Sequence, residues 1–512
     1  MCGDDVFDFG QIRREIDAVL TADITVNENV LNADGTLNGE PELKWIPIGR
    51  YSVNSMAFYY GEFDGRGHTV SGLYGDSDED AVMGLFGLNA GTVKNVGIAD
   101  SYFKIVDYGF GLGGVCGGNL GMIENSYSTG SLSGGTESVL GGVCGYNDGG
   151  TIKNCYWLDG TCAAGVGTDA GTSENVASKT ADEFKSGAVA YLLQNGQTEQ
   201  VWGQKIGVDD YPSPIYGADA KVYEYKLYRG SDDASVAYAN DGMTIETDGG
   251  NNAVAVFEEE FTPAEGCNNV VVRSADGGNV CASLVLTDGA DFYSPVAFTA
   301  SRAEYSRKLS ADSRWATLVL PFGVQSVEGG SLYDVDGVVA GDAGVDYLAA
   351  VGMESMPEAC TPVLVKGDVA GGEISFVSEA PVQVAATDGA ALTKVVGGGC
   401  SMTGSFAAIE NLPEGSMFIS RDMFWSVGTE VGVGMKAFRA YISVPAGNGA
   451  KQMRIIEGGT TDIEAALAGE VSEVDVYSVQ GTMVRRGVER PHALDNLPAG
   501  IYIVGGEKVI KR

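Results

Sequence analysis

The sequence predicts an all-β protein: an N-terminal β-solenoid (β-helix) of roughly 30-residue repeats with a short helical cap, followed by β-sandwich-like modules. Three observations carry this. Glycine occurs 75 times in 512 residues, about twice the usual share of roughly 7%, and it is scattered as GG, GxG and NxG punctuation rather than as collagen triplets. That density calls for many tight turns and many short strands. One stretch repeats itself, and the remainder alternates short β-branched runs with Gly/Asn/Asp turns.

The repeat is read from three segments. They are Gly84-Leu85-Phe86-Gly87 with Gly91-Thr92-Val93-Lys94-Asn95-Val96, then Gly114-Val115-Cys116-Gly117 with Gly121-Met122-Ile123-Glu124-Asn125-Ser126, then Gly142-Val143-Cys144-Gly145 with Gly150-Thr151-Ile152-Lys153-Asn154-Cys155. The aligned Asn95, Asn125 and Asn154 lie 30 and 29 residues apart. A looser copy begins at Phe63-Asp64-Gly65-Arg66-Gly67-His68-Thr69-Val70. One such unit cannot bury its own apolar row, so stacking should put Phe86, Cys116 and Cys144 in one interior column and Val93, Ile123 and Ile152 in another. The step from Phe86 to cysteine suggests a core that tapers along the stack. Asn89, Asn119 and Asn147 recur where turns are expected, and asparagine tolerates the left-handed backbone of a tight corner. A helical reading fails, because each glycine would cost about 1 kcal/mol relative to alanine in a helix.

This pattern, G-L-F-G followed by G-x-V-x-N-V with degenerate copies, resembles the GLUG repeat of bacterial surface proteins. The lead-in Trp45-Ile46-Pro47-Ile48-Gly49 and the Gly65–Val70 turn are similar to that family too. The likeness covers roughly residues 20–160 and implies a β-helix on an extracellular protein. Because the repeat also sits beside zinc peptidase domains, it does not fix an activity.

The organisation read along the chain is a solenoid over 1–175, a helical cap and linker over 176–216, β-sandwich modules over 217–300 and 301–457, and a terminal β domain over 458–512. Residues 180–195 read as one helix. Thr180-Ala181-Asp182-Glu183 is a capping box, Phe184, Ala188, Tyr191 and Leu192 share a face, and Asn195-Gly196 ends it. The following Trp202 and Tyr211-Pro212 should pack on the end of the stack, which needs a cap. Strands are expected at 253–257, 270–272, 284–286, 315–322, 363–365 and 438–442. Val474–Gly481, Leu497–Val504 and Lys508–Arg512 resemble the C-terminal sorting domain of the Bacteroidetes type IX secretion system. That likeness implies recognition by the secretion machinery at the outer membrane.

Charge and cysteine usage narrow the function. With 69 acidic against 32 basic residues the net charge is -37, which disfavours nucleic acid and anionic membranes as partners. No acidic loop with calcium spacing, no CxxC pair and no H-E-x-x-H occurs, so neither a metal nor a cofactor is expected. Nine cysteines without a pattern read as small buried residues, with Cys267 and Cys281 the one pair that a hairpin could join. No apolar run is long enough for a transmembrane helix. No basic-then-apolar leader is visible. Cys2-Gly3-Asp4-Asp5 is similar to the start of a mature surface lipoprotein; an artificial start reads equally.

No catalytic site is expected. His68 sits in a structural turn, His492 follows Pro491 without a nucleophile motif, and no G-x-S-x-G or phosphate loop occurs. The enzymatic alternative is a carbohydrate-active β-helix working with paired carboxylates, with Asp64, Asp76, Asp78, Glu79 and Asp80 as candidates. The favoured reading is an extracellular adhesin or ligand-display protein for host glycoprotein or polysaccharide, and the remaining alternative is a spacer that binds nothing. Its candidate sugar-stacking residues are Tyr51, Phe58, Tyr59 and Tyr60 in a loop before the first full repeat. Tyr127, Tyr156 and Trp157 stand at repeat positions, with packing against the next turn or the cap as the competing role.

Overall fold

The computed structural model describes residues 16–52, 55–77, 80–106, 110–215, 217–247, 250–341, 345–429, 432–445, 451–469, 473–489, 492–504 and 507–511. Cys2, Asp78 and Glu79 lie outside them. The chain is mostly strand with little helix, and it divides into two compact units. The first holds residues Met1–Leu227, Ser235–Ile245 and Val256–Gly266; the second holds Tyr228–Ala234, Glu246–Ala255 and Cys267–Arg512.

In the first unit, short strands from successive repeats lie side by side and parallel. Glu62–Asp64, Thr92–Lys94, Met122–Ser128, Thr151–Leu158 and Thr172–Lys179 form one ladder, with Phe63, Val93, Ile123 and Ile152 in register. Phe86–Asn89, Cys116–Asn119, Cys144–Asn147 and Val166–Asp169 form another. Smaller parallel ladders join Tyr74–Ser77 to Tyr102–Ile105 to Ser131–Gly134, and Val82–Met83 to Gly111–Gly113 to Leu140–Gly141. Both columns expected from the repeat are therefore present, and all six residues are fully buried in one apolar cluster. Phe86 fills its place against Phe63 and Tyr59, with ring centroids 5.2 and 5.1 Å away. The column ends on Val166, which is larger than cysteine, so the core does not keep tapering.

The asparagine expectation is corrected. The left-handed corners are Asn95, Asn125, Asn154 and Asn175, with φ between 48° and 55°. Asn89, Asn119 and Asn147 instead sit inside strands, fully buried, where each side-chain amide bonds the next along the stack. A buried amide is tolerated only when it is paired, and a register-true ladder supplies the partner.

Buried thiols follow from the same packing. Burial pushes the Cys155 thiol up to about 12 and the Cys281 thiol up to about 11, and it raises Cys144 strongly. Thiolate is the reacting species. Iodoacetamide at pH 8 is thus expected to leave Cys155 unmodified in the native protein and to label it after denaturation. Peptide mapping reads this out; native labelling of Cys155 as fast as that of the half-buried Cys162 would contradict the packing.

The predicted single helix is two: Ala181–Lys185 and Ala188–Gln194. The capping box forms, with Glu183 N–H donating to Thr180 Oγ1 at 3.2 Å and Thr180 N–H donating to Glu183 Oε2 at 2.8 Å. Gly187, at φ 90°, breaks the helix, and that break turns Val189, Ala190 and Leu193 inward while Tyr191 and Leu192 stay half-buried. Phe184, Val189 and Leu193 pack with Tyr127, Tyr156 and Trp202 in a second apolar cluster.

The second unit contains larger sheets. Asn279–Thr287 pairs parallel with Phe298–Lys308, and Phe298–Lys308 pairs antiparallel with Glu373–Ser378. That strand runs across residues 300 and 301, the point chosen from sequence as a module boundary. A ten-stranded sheet runs from Trp315–Leu318 to Thr393–Val395 around a core that includes Leu364, Phe424 and Met453. Cys281 sits opposite Val271, and no disulfide joins it to Cys267. After the helix Thr460–Gly469, the terminal strands form a four-stranded antiparallel sheet in the order Met483–Glu489, Glu473–Ser478, Gly500–Val504, Glu507–Lys511. No helix among the described residues is long and apolar enough to cross a membrane.

Candidate functional site

The site is a groove of about 710 Å³ in the first unit. Its floor is the outward face of the first parallel ladder, where Asp64, Lys94, Asn95, Glu124 and Asn125 stand on neighbouring strands. One wall is the loop Gly196–Val201; Arg66, His68, Pro214 and Ile215 complete the lining.

Local rules explain each part. Asp64 Oδ1 accepts from the Arg66 N–H at 2.9 Å, which folds Asp64-Gly65-Arg66 into a tight turn. Gly67 follows at φ 82°, and a Cβ there would come within 2.9 Å of the Val201 carbonyl, so the G-R-G-H string lets the wall approach the floor. His68 is buried and its Nδ1 lies 3.0 Å from Asp23 Oδ1, a positioning contact as its turn implied. Lys94 Nζ lies 2.8 Å from Glu62, whose carboxylate holds the ammonium above its ordinary range. The wall is laced by Gln194: its Oε1 accepts from Val201 and Trp202, and its Nε2 donates to the Glu199 carbonyl. Trp202 Nε1 donates to the Asn125 carbonyl at 3.1 Å and pins the wall to the floor.

The floor carries one unsatisfied buried atom. Asn95 donates through Nδ2 to Asp64 Oδ1 at 3.1 Å, yet its Oδ1 accepts nothing among the described residues. A buried carbonyl left bare costs on the order of 1–3 kcal/mol, so such an atom marks a place where a donor belongs.

The aromatic candidates divide. Tyr127 is fully buried between Phe184 and Trp202, with centroids 5.6 Å from each, and its hydroxyl donates to the Pro212 carbonyl. Tyr156 is buried in the same cluster, and Trp157 belongs to the stack core with its Nε1 bonded to the Cys162 carbonyl. These three are therefore packing residues, not a sugar platform; the cap covers Tyr127 and Tyr156, and the repeat interior takes Trp157. Tyr59 also turns inward, its ring tilted against Phe86 and its hydroxyl donating to the Ile16 carbonyl. Tyr60 is exposed beside Phe58, and Tyr51 lies half-buried against the exposed Phe110. None of the seven lines the groove.

Of the candidate carboxylates Asp64, Asp76 and Asp80, Asp64 lines the groove, where Glu124 and Glu199 also stand. Asp80 is buried in an ion pair with Arg50 at 2.5 Å, and Asp76 accepts from the Tyr74 hydroxyl. Among the described residues, no group of His, Cys, Asp or Glu side chains is placed to hold a metal ion. Of the groove residues, Asp64 was a sequence candidate and His68 was read as structural only; the others escaped sequence reasoning, although the Asn95–Asn125 repeat position was visible. Compared with known protein families, with curated proteins and with solved structures, the chain matches none.

Proposed function

We propose that this chain is an extracellular ligand-binding and display protein whose N-terminal parallel ladders are the coils of a β-solenoid of the GLUG-repeat kind. Its groove takes a polyhydroxylated ligand, an oligosaccharide of a host glycoprotein or polysaccharide. The observation that carries this reading is the groove lining. Side-chain amides, carboxylates and cations alternate along one face, so a ligand with many hydroxyls meets a donor or an acceptor at each step. Acidic composition keeps nucleic acid away from the same surface. The exposed rings of Tyr60 and Phe110 offer stacking area outside the groove. The terminal four-stranded sheet takes the part of the sorting domain that it resembles, delivering the protein to the cell surface through the secretion machinery. Binding is preferred to hydrolysis because Asp80 is neutralised by Arg50, Asp76 is engaged by Tyr74, and Asp64 accepts from both the Arg66 N–H and the Asn95 amide.

The full chain should show saturable binding to a subset of oligosaccharides on a glycan array. Silence across the array would sink the reading, and a bound signal that decays as the glycan shortens would replace binding with catalysis.

A further inference from the structure

Two asparagine columns run along the parallel ladders. In the first, Asn89 Nδ2 donates to Asn119 Oδ1 at 2.8 Å, Asn119 to Asn147 at 3.0 Å, and Asn147 to Asp169 at 2.8 Å, without a break. The second, at the left-handed corners, donates in the opposite direction. Asn175 Nδ2 reaches Asn154 Oδ1 at 2.9 Å, Asn154 reaches Asn125 at 3.1 Å, and Asn95 reaches Asp64 at 3.1 Å. The rung from Asn125 to Asn95 is missing. Asn95 is 5% exposed and its Oδ1 accepts nothing among the described residues. The gap falls where the column meets the groove: Asn95 and Asn125 line it, Asn154 and Asn175 do not.

A group that fills this gap must donate to the Asn95 carbonyl oxygen and accept from the Asn125 amide. A hydroxyl does both, a carboxylate only accepts and an ammonium only donates. We propose that the Asn95–Asn125 gap is a hydroxyl subsite of the groove, closed by one hydroxyl of a bound saccharide that completes the ladder. This rests on the saccharide-binding reading above and adds to it the atoms that read the ligand.

The test uses the full chain on an array of defined neutral and acidic oligosaccharides, with calorimetry on the best responder. Asn95→Gly removes the acceptor and keeps a residue suited to the φ of 55°; Asn154→Gly removes two intact rungs outside the groove at a φ of 49°. Asn95→Gly should lose at least tenfold in affinity, and Asn154→Gly should stay within twofold of the unaltered chain. Asn125→Asp keeps the oxygen that Asn154 bonds and removes the donor, so it should lose affinity as Asn95→Gly does, which guards against a fold defect in either variant. Equal binding by Asn95→Gly and the unaltered chain overturns the subsite and leaves saccharide binding standing. Equal losses in Asn95→Gly and Asn154→Gly also overturn it, because the column is then structural. An unaltered chain that binds no glycan overturns both readings together.

Discussion

Replacing Trp202 with alanine should destabilise the first unit by about 3–5 kcal/mol, the range for losing a large aromatic from a packed site. Trp202 is 1% exposed and lies against Tyr127, within the cluster that also holds Phe184 and Leu193. No neighbour can refill that volume, since the wall loop is held by Gln194 and the floor by the parallel ladder. The Asn125 carbonyl also loses its indole donor, so the cavity and the bare acceptor act together. A thermal melt followed by circular dichroism should show the midpoint falling by roughly 10 °C, given about 2–4 °C per kcal/mol at this size. Trp202→Phe keeps most of the apolar volume and loses only the donor, so it should cost about 1–2 kcal/mol. A Trp202→Ala shift below 2 °C would mean that the cap does not depend on this anchor. The pinned wall also borders the groove, so glycan binding should weaken in step with the melt.

In the second unit the largest effect should come from Asp288→Ala. Arg439 Nη2 lies 2.7 Å from Asp288 Oδ1, the Tyr305 hydroxyl donates to the same carboxylate at 2.5 Å, and Arg439 also donates to the Tyr305 oxygen at 3.1 Å. Arg307 stands nearby, and burial together with the positive Arg439 brings its guanidinium down to about 10. Asp288 is thus the negative group among two buried cations, and its removal leaves them facing each other. Breaking a buried pair costs about 3–5 kcal/mol; the Asp288 side chain is 27% exposed, so water screens part of this and about 3 kcal/mol is expected. Urea unfolding of the second unit measures it. Asp288→Ala combined with Arg439→Met should recover most of the loss, because the stranded charge goes with its partner. If the double variant is as unstable as the single one, packing rather than charge governs the site.

The legible parts of this fold share one property: they repeat or end locally. The columns Phe86-Cys116-Cys144 and Val93-Ile123-Ile152 could be read because stacking copies the same side-chain environment every 29 or 30 residues. The Thr180–Glu183 capping box could be read because its bonds close within one turn. The strand readings at 270–272, 363–365 and 438–442, taken from short apolar runs between turn residues, fall on the strands Val270–Arg273, Val363–Gly367 and Arg439–Ser443. Other features depend on segments that meet from far apart. The Trp202–Asn125 bond joins residues 77 apart, and it creates both the burial of Tyr127 and one wall of the groove. Nothing local to Tyr127 distinguishes a ring facing solvent from a ring under a cap, which is why three of the stacking candidates proved to be core.

The same division separates pairing from pattern elsewhere. The apolar run at 284–286 marked part of the strand Asn279–Thr287, but Phe298–Lys308 and Glu373–Ser378 were not marked, and a strand's partners depend on the whole sheet: Phe298–Lys308 joins the first in parallel and the last in antiparallel. The two asparagine columns make the point at the scale of atoms. Composition and spacing marked asparagine as the residue of the repeat. Which column turns the corner, which forms the buried amide ladder, and where the corner column lacks a rung follow from how the parallel strands stack and where the two short helices come down. Side-chain period is written in the chain; burial and hydrogen-bond closure belong to whatever distant segment arrives to cover it.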